Sequence, residues 1–159
     1  MKILVLSDSH KNFIALQKAF DAVPDADTVV HLGDGEAEFA LLSSLHPERA
    51  MVYVGGNCDW EFHKQTHIMI ASGIRIFCCH GHTLNVRRGT ELLVSEAHKN
   101  DCVIALYGHT HVFFTDVING VYVMNPGSVS EPRNGNKPTY GVIELGSSGE
   151  IKMEIRELE

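Results

Sequence analysis

The sequence has no surplus of basic residues and no long hydrophobic run. Lysine and arginine number 13 against 20 aspartates and glutamates, which gives a formal net charge of −7. Proteins that follow a nucleic-acid backbone usually present a basic surface, so this balance argues against binding to duplex nucleic acid. The opening apolar run, residues 1–6, is too short for a membrane span and no cleavage site follows it. We therefore expect a cytoplasmic protein with no membrane association.

Cysteine is also sparse, with four residues at Cys58, Cys78, Cys79 and Cys102. Without a secretory signal, free thiols are expected rather than disulfides. The chain has 159 residues, of which 44% are apolar. That length suits a single domain, residues 1–159, with a substantial core.

The N-terminal part alternates strands and helices. Strands are predicted at 3–7, 28–32 and 51–54, and helices at 13–22 and 36–45. Asn12 can cap the first helix, and Phe39, Leu42 and Leu45 have a spacing that suits burial of the second. A β-α-β-α-β unit of this kind favours a largely parallel sheet with right-handed crossovers.

The rest of the chain is richer in strands. Strands are predicted at 67–71, 74–79, 102–107, 112–118, 121–124, 139–145 and 150–156, with one helix at 90–99. Asn119-Gly120 is a strong hairpin signal between two of them. Some ten strands exceed what one small open sheet usually holds, so we expect an α/β fold with two mixed sheets packed face to face.

Residue types that bind metals follow five of the predicted strands. They carry carboxylate, amide or imidazole groups and are Asp8, His10, Asp34, Asn57, His80, His109 and His111. Open α/β sheets place their sites beyond the carboxyl ends of strands, so these side chains should converge. Glycines beside them, at Gly33, Gly56, Gly81 and Gly108, allow close approach of the backbone.

The pair His109 and His111 stands two residues apart after a strand. In an extended segment such residues point the same way, so both rings could face one metal ion. The alternative is two unrelated loop histidines. His82 follows His80 by two residues and could act behind it or replace it, although we favour His80.

Seven ligands are too many for one tetrahedral site with an open position. They suit two ions that share a bridging carboxylate. Mixed nitrogen and oxygen ligands favour transition metals, with Mn²⁺ as first choice and Ni²⁺, Zn²⁺ or Fe as alternatives, over Mg²⁺ or Ca²⁺.

These blocks, in this order, resemble the signature motifs of the calcineurin-like metallophosphoesterases. The blocks are Asp8-Ser9-His10, Gly33-Asp34, Gly56-Asn57-Cys58-Asp59, His80-Gly81-His82 and Gly108-His109-Thr110-His111. The chain most resembles the small bacterial and archaeal phosphodiesterase branch, which shares the loop at residues 125–128 and Arg133. The resemblance implies a four-layer αββα sandwich with a dinuclear metal centre.

The resemblance also implies roles for individual residues. One ion would bind Asp8, His10, Asp34 and His111, and the other would bind Asp34, Asn57, His80 and His109, with Asp34 as the bridge. Asp34, Asn57 and His109 are the candidate catalytic residues. Asn125, Ser128 and Arg133 are candidates for substrate binding or for a structural role in their loop, whereas Arg87 and Arg88 are expected to be solvated.

The implied reaction is hydrolysis of a small phosphate ester. Two ions about 3.5–4 Å apart can hold a hydroxide that attacks phosphorus in line with the leaving oxygen. Many members of the wider family carry a histidine where this chain has Cys58, and that histidine is thought to protonate the leaving group. Cys58 therefore leaves the general acid open, while Asp59 is expected to hydrogen-bond its loop.

Two other functions stay open on sequence alone. A non-catalytic interaction module, like the retromer subunit of this fold, would be favoured by missing ligands, but all seven are present. A nuclease acting on short oligonucleotides is the second alternative. The sequence leaves open whether the chain forms a homo-oligomer.

Overall fold

The computed structural model describes residues 1–61 and 63–159. Within these residues the chain forms ten strands, three α-helices and one 3₁₀ turn, His82–Leu84. The strands are β1 (Lys2–Leu6), β2 (Thr28–His31), β3 (Ala50–Tyr53), β4 (Thr66–Ala71), β5 (Ile74–Cys79), β6 (Ile104–Leu106), β7 (Phe114–Ile118), β8 (Val121–Asn125), β9 (Thr139–Leu145) and β10 (Ile151–Glu157). The helices are α1 (Phe13–Asp21), α2 (Glu36–Leu45) and α3 (Glu91–Lys99).

The described strands form two mixed sheets of five strands each, in the orders β10-β9-β1-β2-β3 and β4-β5-β6-β8-β7. Each sheet contains three neighbouring parallel strands: β1, β2 and β3 in the first, and β5, β6 and β8 in the second. Antiparallel strands complete both sheets. Each sheet thus brings three carboxyl strand ends together at one edge.

Alternating side chains on the strands explain the layers. On β1, Ile3 and Val5 pack in a core that also contains Ile76 and Leu106 of the second sheet. Leu4 and Leu6 point the other way and pack with α1 and α2. The outer face of the second sheet packs in the same manner against α3. The four-layer αββα sandwich is therefore confirmed.

Local signals in the sequence agree with most element bounds. The Asn12 side chain accepts a hydrogen bond from the Ala15 N–H at 3.0 Å and caps α1, as predicted. The strand predicted at 102–107 is shorter, because only Ile104–Leu106 pairs with its neighbours. The predicted burial of Leu45 is wrong, since 55% of this residue is exposed. Leu45 is the last residue of α2 and lies about 120° around the helix from Phe39, at the edge of the buried face.

Two further predictions concern whole-chain properties. All four cysteines are free thiols, as predicted, and Cys58 is exposed while the other three are buried. Among the residues that the structure describes, no helix is both long and apolar enough to cross a lipid bilayer.

Candidate metal centre

The predicted ligands lie where the carboxyl ends of the parallel strands of both sheets meet. Asp8 and His10 follow β1, Asp34 follows β2, and Asn57 follows β3. His80 directly follows β5, and the loop with His109 and His111 follows β6. The convergence expected from the strand ends is therefore present, and it joins loops from both sheets.

One group of ligand atoms is formed by Asp8, His10 and His111. The His111 Nε2 atom lies 3.2 Å from Asp8 Oδ1 and 3.2 Å from His10 Nε2. The His10 Nε2 atom lies 3.9 Å from the same Asp8 oxygen. Three potential ligand atoms thus lie within 4 Å of one another.

The orientation of His111 is fixed by a backbone group. Its Nδ1 donates a hydrogen bond to the Glu131 carbonyl at 2.6 Å, so the neutral ring has a bare Nε2 facing Asp8. Asp8 Oδ1 is buried and accepts no hydrogen bond from any residue in the described part of the chain. A buried carboxylate oxygen without a donor is costly, and a bound cation would satisfy it.

The pKa values of Asp8 and His111 favour a positive charge at this point. Burial alone would lower the pKa of His111, but the Asp8 carboxylate, with Oδ1 3.2 Å from His111 Nε2, outweighs it and raises the pKa. Burial would likewise raise the pKa of Asp8, but His111 and His80 hold it below its usual value. Without a metal ion, a proton on His111 is the available substitute for that charge.

A second group is formed by Asp34, Asn57 and His80. The His80 Nδ1 donates to the Leu32 carbonyl at 2.6 Å, which leaves Nε2 bare in the neutral ring. This Nε2 lies 3.1 Å from Asn57 Oδ1 and 3.4 Å from Asp34 Oδ2. The pattern of the first group is repeated: a carbonyl orients the ring, and oxygen atoms face its bare nitrogen.

Asp34 lies between the two groups. Its Oδ2 atom is 3.9 Å from His10 Nε2 as well as 3.4 Å from His80 Nε2. Its Oδ1 atom accepts a hydrogen bond from the Cys58 N–H at 2.8 Å, which leaves Oδ2 for the ligand side. Burial would raise the pKa of Asp34, but His80 and the Cys58 N–H keep it well below its usual range. This is the position that the sequence analysis gave to the bridging carboxylate.

His109 and His111 lie in different parts of the centre. The ring centroid of His109 is 5.1 Å from that of His80, whereas the His111 ring lies 4.9 Å from His10. The expectation that both rings face one point from an extended segment is wrong, because β6 ends at Leu106 and both histidines have positive φ angles. The division matches the ligand sets that the family resemblance implies.

Backbone strain is concentrated at the predicted ligands. Five of the seven have left-handed φ angles: Asp8 (54°), His10 (43°), Asp34 (60°), His109 (66°) and His111 (60°). The left-handed conformation costs a non-glycine residue about 1–2 kcal/mol. Hydrogen bonds between the loops support it, since the Asp8 N–H donates to Gly33 O at 3.1 Å and the His10 N–H to Asp34 O at 3.0 Å. Strain held in place by its surroundings is typical of functional sites.

Two glycines permit the close packing of these loops. A Cβ atom at Gly56 would lie 2.0 Å from Asp34 Oδ1. A Cβ atom at Gly108 would lie 1.9 Å from Ser7 Oγ. The expectation that these glycines allow close backbone approach is confirmed.

Asp59 holds the Asp34 loop, as predicted. Its carboxylate accepts hydrogen bonds from the N–H groups of Gly56 at 2.7 Å, Gly35 at 3.1 Å and Asp34 at 3.2 Å. The Tyr53 hydroxyl also donates to it at 2.7 Å. The Asp59 carboxylate therefore holds the backbone that carries Asp34.

Cys58 lies at the exposed side of the centre. One ligand atom each of Cys58, His10 and Asp34 lie within 4.8 Å of one another. Partial burial, followed by the negative charge of Asp34, raises the pKa of the thiol to about 11. The thiol is therefore protonated at neutral pH and is a weak acid.

Asn125 and Ser128, proposed from sequence for substrate binding or a loop role, are fully buried. The Asn125 Nδ2 donates to Gly108 O at 2.9 Å, and the Ser128 hydroxyl donates to Asp8 O at 2.7 Å. Their polar atoms thus serve the loops that carry His109 and Asp8, and we assign them a positioning role. Arg133 is exposed, and its contact with substrate stays a prediction.

His82 lies behind the second group. Its ring centroid is 5.3 Å from that of His80 and 6.1 Å from that of His109. His80, rather than His82, presents its Nε2 to the oxygens of Asp34 and Asn57. The preference for His80 in the sequence analysis agrees with this geometry.

One supporting network was not evident from sequence. The Gly33 N–H donates to His31 Nδ1, so the His31 Nε2–H donates to Ser9 Oγ at 2.9 Å. Ser9 Oγ in turn donates to Glu38 Oε1 at 2.7 Å. Burial lowers the pKa of His31 to about 4, so the ring is neutral in this network. It supports the backbone between Asp8 and His10 from the helix side.

Comparisons with known proteins agree on one family. Residues 1–148 match the calcineurin-like phosphoesterase superfamily domain. The phosphodiesterase YfcE of Escherichia coli K12 is 29% identical over 168 residues, covering 91% of this chain and 88% of that protein.

Solved structures give the same fold. A predicted phosphoesterase from Streptococcus pneumoniae TIGR4 matches with a TM-score of 0.79 and 26% identity, covering 98% of this chain and 97% of that one. Wild-type Vps29 of Entamoeba histolytica, solved in complex with Zn²⁺, matches with a TM-score of 0.74 and 22% identity over the full length of both chains.

Proposed function

Because the chain belongs to the calcineurin-like phosphoesterase superfamily and is a metal-dependent phosphoesterase, we propose that it hydrolyses small phosphodiesters at a centre of two divalent metal ions. The preference for diesters follows the E. coli relative, which is named a phosphodiesterase. The centre is the convergence of loops from both sheets described above.

The ligand sets follow the two groups of atoms. Asp8, His10, Asp34 and His111 would hold one ion. Asp34, Asn57, His80 and His109 would hold the other. One observation carries this proposal: the same arrangement occurs at His111 and at His80. In each ring Nδ1–H donates to a backbone carbonyl, and the bare Nε2 faces carboxylate or amide oxygens. Metal-bound histidines typically have this backbone support.

The residues present fit transition-metal ions. The donors are imidazole nitrogens and carboxylate or amide oxygens, which suit Mn²⁺, Ni²⁺, Zn²⁺ or Fe, with Mn²⁺ as first choice. Bound there, a pair of divalent ions supplies an activated water and positive charge for the phosphoryl oxygens. Asp8 Oδ1 is buried and accepts no hydrogen bond within the described residues, so a bound cation would stabilise this oxygen directly.

The protein's own groups have distinct tasks in this reaction. The Cys58 N–H orients Asp34 by binding Oδ1, so that Oδ2 faces the histidines of both groups. Asn57 contributes an uncharged oxygen, which keeps the ligand shell from cancelling all the positive charge. His109 has a pKa lowered to about 4 by burial and by the nearby charges of His80 and Arg87, so its ring is a neutral ligand at neutral pH.

Activity with and without metal tests the function. Protein stripped with a chelator and reloaded with Mn²⁺ should hydrolyse bis(p-nitrophenyl) phosphate, and stripped protein should not. Asp34→Asn should lower kcat/KM by more than about a hundredfold, since even partners behind metal ligands are worth about 10–100-fold. Asp116→Asn, at an exposed carboxylate on β7, is the matched control and should leave kcat/KM unchanged.

The same assay separates the alternatives. Metal binding without hydrolysis of aryl diesters, cyclic nucleotides or phosphomonoesters would overturn the enzymatic proposal and favour an interaction module. Rapid cleavage of short oligonucleotides, with slow cleavage of other diesters, would favour a nuclease. Equal activity of Asp34→Asn and wild type would show that the proposed centre is not the active site.

A further inference from the structure

A cavity with two arginines borders the proposed metal centre. It has a volume of about 450 Å³, and its lining includes Arg87, Arg133, Thr110, Tyr107 and Phe113. Thr110 separates His109 from His111 in sequence, so the cavity lies directly beside the loop that carries two of the proposed ligands. A molecule bound at the metal centre could extend into it.

The backbone ties Arg133 to the centre. The Arg133 N–H donates to the His111 carbonyl at 3.1 Å, while the His111 ring donates to the Glu131 carbonyl at 2.6 Å. The segment that orients a proposed ligand therefore also places Arg133. Arg87 follows Val86, which is buried against Gly81 next to His80. Both arginines thus stand on segments that are anchored near proposed ligands.

The guanidinium groups of Arg87 and Arg133 are free to bind a ligand. Neither makes a hydrogen bond or ion pair with any residue in the ranges 1–61 and 63–159. Three other arginines do have partners: Arg49 donates to Ala26 O, Arg75 donates to Asn100 O, and Arg156 pairs with Glu154. Within the described residues Arg88 also has no side-chain partner, but it does not line the cavity. In a chain of net charge −7, two unpaired guanidiniums in one cavity form a local positive site.

A second cavity at the centre is acidic beyond the proposed metal ligands. It has a volume of about 530 Å³ and is lined in part by His10, Asp34 and Cys58. Further acidic residues also line it, namely Glu36, Glu38, Asp59 and Glu131. Lys11 is its only lysine or arginine. An additional anionic group that reached past the proposed metal ions in this cavity would be repelled by these carboxylates, whereas the arginine cavity would attract it.

We propose that the cavity of Arg87 and Arg133 binds a phosphate monoester carried by the substrate in addition to the scissile diester. Guanidinium groups match phosphate geometry and form strong charge-assisted hydrogen bonds with it. Phe113, which is 43% exposed, offers an apolar surface for the organic part that joins the two phosphates. The inference rests on the proposed phosphodiesterase function and names the substrate class as a diester with a second, terminal phosphate.

Two esters that differ only in the second phosphate test this inference. One is the p-nitrophenyl ester of thymidine 5′-phosphate, and the other is the same ester with a 3′-phosphate. Mn²⁺-loaded wild type should prefer the second in kcat/KM by about tenfold or more, the usual worth of hydrogen bonds to a charged group. The double variant Arg87→Ala/Arg133→Ala should bring the ratio of the two kcat/KM values close to one. Arg88→Ala removes a neighbouring exposed arginine that is not part of the cavity and should keep the wild-type ratio.

Equilibrium binding gives a readout that does not depend on turnover. In calorimetry, thymidine 3′,5′-bisphosphate should bind wild type more tightly than thymidine 5′-phosphate, and the double variant should lose this difference. Hydrolysis of both esters with equal kcat/KM in wild type would overturn the inference and leave the phosphodiesterase proposal intact. If neither ester is hydrolysed, hydrolysis of bis(p-nitrophenyl) phosphate by the same Mn²⁺-loaded sample decides whether the phosphodiesterase proposal stands, and equal binding of the two nucleotides would overturn the inference in either case.

Discussion

The Nε2 atoms of His10 and His111 lie 3.2 Å apart, although 101 residues separate the two histidines in the chain. The His111 nitrogen is bare in the neutral ring, because its Nδ1–H is bound to the Glu131 carbonyl. Both nitrogens also face the buried Asp8 Oδ1. Lone pairs this close repel unless a proton or a metal ion lies among them, so the stability of the fold should depend on what occupies this point.

Removal of metal should therefore destabilise the protein. An ion at a thousand times its Kd adds about 4 kcal/mol to the free energy of unfolding. For a chain of this length that corresponds to roughly 10 °C in Tm. Differential scanning fluorimetry of Mn²⁺-loaded protein should show this decrease on addition of EDTA and its reversal by excess Mn²⁺. EDTA already saturated with Mn²⁺ is the control and should have no effect; an unchanged Tm in a sample shown to start metal-loaded would contradict the prediction.

The position of Asp34 between both groups predicts how ions are lost. Elemental analysis after Mn²⁺ reconstitution should approach two ions per chain in wild type, as the proposed dinuclear centre requires. Asp34→Ala should lose both ions together, because its Oδ2 faces His10 and His80 alike. His111→Ala is the matched comparison and should lose only one, since His111 contacts the first group alone. A single ion in fully active wild type, or one ion retained by Asp34→Ala, would exclude the bridging role.

The sequence alone predicts the fold and the convergence of ligands, because both depend on period-two patterns and on the rule that strand carboxyl ends meet. It does not predict the local path of the loops. The left-handed conformations of Asp8 and Asp34 depend on hydrogen bonds from the Asp8 N–H to Gly33 and from the His10 N–H to Asp34, which join separate strands. For the same reason the divergence of His109 and His111 could not be derived from their spacing, which fits an extended segment equally well.

The sequence also does not predict which polar residues are buried or brought into a shared cavity. Asn125 and Ser128 have the residue types of a binding loop, yet their side chains are enclosed by the backbone of Gly108 and Asp8. Arg87 has the sequence context of a solvated residue, and only the tertiary fold brings it to the same cavity as Arg133. In both cases the determining contacts come from distant parts of the chain.

The buried His31 predicts a dependence of stability on pH. Its pKa is about 4 in the folded protein, mainly because of burial, and about 6.5 in an unfolded chain. Between these values the unfolded chain binds a proton that the folded chain does not, so the contribution of His31 is complete above pH 6.5 and is lost as the pH falls toward 4. The loss should be on the order of 3 kcal/mol.

Urea unfolding from pH 7 to pH 4 can isolate this contribution, with all proteins kept metal-free by EDTA. His31→Gln should show a shallower decrease in the free energy of unfolding than wild type over this range. His98→Gln changes an exposed histidine at the end of α3 and should keep the wild-type slope. Parallel pH profiles for wild type and His31→Gln would show that His31 is not held neutral by the fold.

The absence of an effective proton donor at position 58 should determine which leaving groups the enzyme tolerates. With a pKa of about 11, the Cys58 thiol is a poor proton donor at neutral pH, and sulfur is a weak hydrogen-bond donor to oxygen. A histidine with an unperturbed pKa of roughly 6.5 would be well matched to that task. If no other group supplies the proton, the leaving oxygen must depart largely unprotonated. Rates should then depend steeply on leaving-group acidity, with nitrophenyl esters fast and alkyl esters slow.

General acid catalysis is typically worth about 10²–10⁴-fold, so the difference between aryl and alkyl diesters should be large. Cys58→His should reduce this difference by raising kcat/KM for alkyl diesters. Cys58→Ala should change kcat/KM little for either class of diester. The measurement is kcat/KM for a series of aryl and alkyl diesters with wild type and both variants, each reloaded with Mn²⁺. A large loss in Cys58→Ala that is confined to poor leaving groups would show that the thiol is itself the acid. Such a result would mean that the environment of Cys58 in the loaded enzyme lowers its pKa enough to overcome the burial and the Asp34 charge that raise it here.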